Sequence, residues 1–164
     1  MSPIRPLERS LALLTGGLLA LLLALVLPVV AHGSARSPTH GRLSEKPKIK
    51  AHKGPAPKRL VIKEIIKGRG PMANNGDVLT VNYVGALYSN DKVFDSSWHR
   101  DEPFTFILGQ GTVIPGWERG FAGMRVGGRR ELIIPAALAY GNRGSPPTIP
   151  PKSTLIFVVD LLAV

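Results

Sequence analysis

Few side chains in this sequence are suited to covalent or proton-transfer chemistry. Asp95 stands between Phe94 and the hydroxyl pair Ser96-Ser97, Tyr140 precedes Gly141, and His99 is the single histidine beyond residue 59. The first two have ordinary readings as a turn aspartate capping nearby N–H groups and a loop aromatic. The absence of cysteine removes disulfides, thiolate nucleophiles and thiol zinc ligands. His32, His40 and His52 all precede residue 60, so no histidine metal cluster is built on the remainder, and neither metal nor cofactor is expected. What is left is non-covalent: Phe94, Phe104, Phe106, Trp117 and Phe157 form either an apolar site or a plain core.

The pattern beyond Lys58 predicts the scaffold. Short apolar runs broken by Gly and Pro mark strands and turns. Leu60 to Ile66 predicts a first strand and Gly68 to Gly76 a loop. Leu79, Val81, Tyr83, Gly85 and Leu87 fall on one face of a period-two segment, as a half-buried strand requires. Val93-Phe94, the alternating Phe104, Phe106 and Leu108, and Glu131 to Ile134 continue the series. In the last run Leu155, Phe157, Val159 and Leu161 share one face, with Thr154 and Asp160 on the other. Only Val113 to Phe121 reads as helix, because Ile114, Trp117 and Phe121 recur three and four apart. The class is α+β, with one short helix covering an antiparallel sheet.

The first 59 residues differ in kind. Leu11 to Val30 is an uncharged run of twenty residues preceded by Arg5 and Arg9, which is the length of a bilayer-spanning helix. Residues 1–31 therefore predict a hydrophobic helix that is either a cleaved signal peptide or a retained N-terminal anchor crossing the membrane at 11–30. Length favours the anchor, while Pro28 and Val29-Val30-Ala31 favour cleavage. Both readings make the protein exported or membrane-anchored, with its domain outside the cytoplasm, although Lys and Arg are more numerous after the segment than before it. Residues 32–59 hold eight Lys/Arg against Glu45, net +7 of the chain's +10, with Leu43 and Ile49 as the sizeable apolar side chains. They predict a flexible, disordered basic linker. Such charge attracts anionic lipid or nucleic acid without specificity, and no specific nucleic-acid partner is expected. Residues 60–164 carry only net +2.

The ordered motifs of residues 60–164 suggest a family. Asn82-Tyr83-Val84-Gly85, Val93-Phe94-Asp95-Ser96-Ser97, Pro103-Phe104-Thr105-Phe106, Leu108-Gly109-Gln110-Gly111 and Val113-Ile114-Pro115-Gly116-Trp117-Glu118 follow one another. Gly123-Met124, Val126-Gly127, Ala139-Tyr140-Gly141, Ile149-Pro150-Pro151 and Thr154-Leu155-Ile156-Phe157 complete the set. In this order and spacing they resemble the FKBP-type peptidyl-prolyl cis-trans isomerases. The resemblance implies a twisted antiparallel sheet of five or six strands wrapped around the short helix containing Trp117, filling residues 60–164.

It also implies an apolar pocket for a prolyl ring, which macrolide immunosuppressants can occupy. Trp117 would be its floor; Phe94, Phe104 and Phe157 its walls; Val113, Ile114, Arg100 and Ile149 further substrate contacts. Tyr83, Asp95 and Tyr140 would supply polar rim contacts, and the Ile114 N–H would meet a substrate carbonyl. The implied activity is rotation about Xaa-Pro bonds in proline-containing polypeptides, assisting the folding of exported proteins. The alternative is a non-catalytic proline-binding or chaperone module on the same fold. Asn142 to Thr148 lies where the family's long loop overhangs the pocket, with Ser145 where some members carry histidine, and this departure leaves sequence preference and drug affinity open.

Overall fold

The computed structural model describes residues 43–164. The expected membrane-directed segment, residues 1–31, and the first part of the linker lie outside the described residues. Among the described residues, no helix is long and apolar enough to cross a membrane.

Six strands form one antiparallel sheet: β1 (Val61–Ile66), β2 (Val78–Leu87), β3 (Val93–Ser96), β4 (Phe104–Ile107), β5 (Arg129–Ile134) and β6 (Leu155–Ala163). Their order is β1-β5-β6-β2-β3, and β4 also pairs with β2. The ends of β2 are shared, with Val78–Val81 against β4 and Val84–Ala86 against β3. The apolar alternation of β2 is visible in space, because Leu79, Val81, Tyr83 and Leu87 all enter the main core.

Helix α1 (Pro115–Phe121) covers that face. It begins two residues later than the periodicity suggests. Ile114 precedes a proline and stays extended at φ −59°, ψ 145°, and Pro115 then opens the first turn, where its missing N–H costs nothing. Two glycines one turn apart allow close approach to β5. A Cβ at Gly116 would lie 2.3 Å from Ile134 Cγ2, and one at Gly120 2.5 Å from Leu132 Cδ1. That proximity seats Trp117 and Phe121 in the core, at 4% and 0% exposure.

The other face of the sheet differs from expectation. Asp160, placed by alternation on the polar face of the last strand, is 0% exposed, and all of Leu155–Leu161 is buried. Residues 43–59 contain no helix or strand, yet part of this segment packs on the domain. Leu43 and Pro47 are buried, His52 Nε2 lies 3.5 Å from Glu131, and Tyr88 donates to the Pro55 carbonyl at 3.4 Å. Arg129 joins this strap, residues 43–55, to the sheet: its Nε and Nη2 donate to Asp160 at 2.5 and 2.8 Å, and Nη2 also donates to the Glu45 carbonyl at 2.8 Å. The disordered-linker expectation thus differs from the described residues 43–55. Composition shows how little such a segment can bury on itself, and is silent on what it covers in a neighbour.

Burial pushes the Asp160 carboxyl up, while the Arg129 guanidinium pulls it down. Arg129→Met should therefore leave an uncompensated buried carboxylate and cost about 3–5 kcal/mol in denaturant unfolding. Adding Asp160→Leu is expected to recover most of that loss.

Candidate active site

Four strands and two loops converge with α1 on a cavity of about 240 Å³. It is lined by Tyr83, Phe94, Asp95, Phe104, Val113, Ile114, Trp117, Tyr140 and Phe157. Trp117 anchors it, meeting Tyr83 and Phe157 edge-on with ring centroids 5.2 Å away in both cases and interplanar angles of 77° and 83°. Phe94 meets Phe157 edge-on at 5.6 Å, and Phe104 meets Trp117 at 6.0 Å. Edge-to-face packing pairs positive ring edges with negative faces and fixes the cup's shape. A larger cavity, about 490 Å³, lies elsewhere between Leu43, Pro71, Trp98 and Val126 and has no ionisable side chain in its lining. Chemistry outweighs volume in choosing between them, because a site needs convergent polar groups as well as apolar walls.

Those polar groups sit at the rim of the smaller cavity. The Tyr83 hydroxyl donates to Asp95 Oδ2 at 2.5 Å, Arg100 Nη1 donates to Asp95 Oδ1 at 2.5 Å, and Arg100 Nη2 donates to the Tyr83 oxygen at 2.8 Å. The Ser96 N–H adds a bond to Asp95 Oδ1 at 2.8 Å. Burial, followed by the bond to Asp95, pushes the Tyr83 phenol up to about 12. Burial also acts to raise Asp95, but the bonds from Tyr83, Arg100 and Ser96 outweigh it and hold the carboxyl below its ordinary value. The bonds to Asp95 and Tyr83 raise Arg100 further above its already high value. This triad therefore keeps one charge distribution across the neutral range.

Most residues singled out from sequence meet here. Arg100 stands just outside the lining and acts on it through Asp95 and Tyr83. Ile149 does not line the cavity: it is 4% exposed within the core, and its backbone pairs with Ser145, closing the loop after Tyr140. That position anchors the loop. The Ile114 N–H makes no hydrogen bond among the described residues, whereas the Ile114 carbonyl accepts from Trp117 N–H at 2.8 Å.

Two site-shaping residues escaped the sequence reading. A Cβ at Gly85 would lie 2.7 Å from Phe157 and 2.8 Å from Phe94, so glycine is what lets those rings close over β2. Glu118 accepts the N–H groups of Gly109 at 2.6 Å and Gly111 at 2.9 Å, fastening the loop that leads to Val113 and Ile114. A glycine at a core-facing position of an alternating strand was the available signal for the first. Nothing local in the sequence signals the second.

A family model described as FKBP-type peptidyl-prolyl cis-trans isomerase matches residues 70–162. An FK506-binding protein of Streptomyces anulatus is 53% identical over 121 residues, covering 73% of this chain and 98% of that protein. An FK506-binding protein of Neisseria meningitidis serogroup A is 49% identical over 105 residues, covering 64% and 95%. The crystal structure of AtFKBP13 superposes with a TM-score of 0.61 at 40% identity, covering 66% of this chain and 94% of that one. This chain belongs to the FKBP-type peptidyl-prolyl cis-trans isomerase family, and its enzyme class is that of a peptidyl-prolyl cis-trans isomerase.

The Gly85 contacts lead to a direct test. Gly85→Ala should force Phe94 and Phe157 apart, at a stability cost of about 1–3 kcal/mol from overpacking. Its kcat/KM on a proline peptide is expected to fall at least about tenfold, equivalent to about 1.4 kcal/mol of transition-state stabilisation.

Proposed function

We propose that this chain accelerates rotation about Xaa-Pro bonds by holding the twisted amide, without covalent chemistry, in the cup above Trp117, and that it serves the folding of exported proteins. The observation that carries the reading is one cavity with aromatic walls and a fixed polar triad at its rim. Rotation about a prolyl bond meets a barrier of roughly 18–20 kcal/mol because amide resonance must be broken. The planar ground state is more dipolar than the twisted one, so an apolar cup disfavours the former relative to the latter. That difference is catalysis by selective transition-state binding.

Each residue has a role in this reading. Trp117 is the floor against which the prolyl ring rests, and Phe94, Phe104 and Phe157 exclude water. The unclaimed Ile114 N–H takes a substrate carbonyl. Asp95 and Arg100 hold the Tyr83 hydroxyl in place, and Tyr140, 41% exposed, offers a second hydroxyl at the rim. A ten-thousand-fold acceleration asks for about 5.5 kcal/mol, within reach of desolvation plus one or two hydrogen bonds in a dry site. FK506-type macrolides, named for the relatives above, fit the same apolar cup. The uncharged run Leu11 to Val30 supports action outside the cytoplasm. N-terminal sequencing of the mature protein from membrane and soluble fractions tests that location.

Asp95→Ala and Phe157→Ala are each expected to lower kcat/KM in a prolyl isomerisation assay while the chain stays folded by circular dichroism. Parental turnover in both folded variants would contradict these roles.

The rim also sets the pH profile. Asp95 is held below the usual carboxylate value and Tyr83 near 12, so kcat/KM should be level from about pH 5 to about pH 9. The stability contributed by the raised Tyr83 is complete below its unfolded value of about 10 and is lost as pH rises toward about 12. The part contributed by the lowered Asp95 is present above its unfolded value of about 3.9 and fades as pH falls through the folded one. A bell-shaped rate profile centred on neutral pH would contradict this account.

A further inference from the structure

The isomerase site leaves unused the basic residues that precede and enter β1. Lys48, Lys50, Lys53, Lys58 and Arg59 before β1, and Lys63 within it, are all exposed. Among the described residues none of the six has an ion-pair partner. Packing part of the strap on the domain changes what this charge can do, because a disordered linker spreads its lysines whereas this segment displays them together. Lys48, Lys50 and Lys63 border a single cleft of about 250 Å³ with Ile65 and two carboxylates, the exposed Glu64 and the buried Glu131. Glu64 lies 4.0 Å from Arg130 and Glu131 3.5 Å from His52, and the six basic side chains outnumber these two acids.

Apolar side chains stand beside the charges. The β1–β5 register sets Val61 opposite Ile133 and Lys63 opposite Glu131, which puts Val61 and Lys63 on the strap's side of the sheet. Val61 is 39% exposed and Ile65 49%. Unpaired lysines around exposed aliphatic groups match the boundary of an anionic bilayer, where cations meet headgroups and alkyl chains enter the acyl edge. His52 of the strap and Tyr88 pack on each other at 5.4 Å instead of being offered to bases, as a single-strand nucleic-acid surface requires.

We propose that this face, with Lys48, Lys50 and Lys63 beside Val61 and Ile65, docks on an anionic lipid surface. The aromatic cavity lies on the other side of the sheet and stays open to a polypeptide. Retention of residues 1–31 is not required.

The absence of cysteine permits a single reporter in the full chain. Ile65→Cys, and Asn142→Cys as a control beside the cavity, would carry an environment-sensitive fluorophore. Each would be titrated with vesicles of phosphatidylcholine alone or mixed with phosphatidylserine. The Ile65 label should shift to the blue on the mixed vesicles and lose that shift at high salt, while the Asn142 label stays unchanged. In a chain that also carries Lys48→Gln, Lys50→Gln, Lys53→Gln and Lys63→Gln, affinity for the mixed vesicles should fall at least about tenfold, given about 1 kcal/mol per lysine at such a surface. Unchanged prolyl isomerisation would show that the variant is folded. An equal response on phosphatidylcholine alone, an equal response at Asn142, or unchanged affinity in the four-glutamine chain would overturn the proposal. So would a short DNA duplex that binds more tightly than the mixed vesicles and loses affinity in the same variant.

Discussion

The Trp117 indole holds the domain's two layers together. Five rings touch it: Tyr83 from β2, Phe104 and Phe106 from β4, Phe121 from its own helix and Phe157 from β6. It can occupy that position only because Gly116 and Gly120 let the helix approach Leu132 and Ile134. The same side chain ends the core and starts the site. Packing on one side makes the floor rigid, and a rigid apolar floor can discriminate between a planar and a twisted amide.

A second constraint operates across the sheet. The buried Arg129–Asp160 pair is stitched to the strap through the Glu45 carbonyl, so the outer face is covered by chain that has no regular secondary structure. Burial opposes the charge on Asp160, and a buried ion pair gives little net stability against an apolar replacement. What the pair does provide is register, since it fixes where the strap lies and therefore where the strap's lysines point.

The sequence made much of the fold legible, and the failures have physical causes. Alternation in β2, β4 and β6, and short apolar runs bounded by turns elsewhere, located every strand to within a few residues. The same rule misplaced Asp160, since both faces of β6 are covered and the covering segment looks too polar to pack. The aromatic positions around the cavity were legible through ordered motifs spanning a hundred residues. Ile149 stood in one of those motifs and still belongs to the core, which a motif cannot distinguish from lining. Glu118 stood in a motif as well, but its role was unreadable there, because its partners are the backbone N–H groups of Gly109 and Gly111. Any residue type can supply such donors.

The proposed mechanism needs no proton transfer: the rim groups keep their protonation states across the neutral range, and the cup offers shape and low polarity. The most direct test is kcat/KM for a proline peptide measured in light and heavy water at matched pH plateau. The account predicts equal rates, because only a bond rotation lies on the path. A clearly slower reaction in heavy water would mean that a proton moves in the rate-limiting step, and would contradict it.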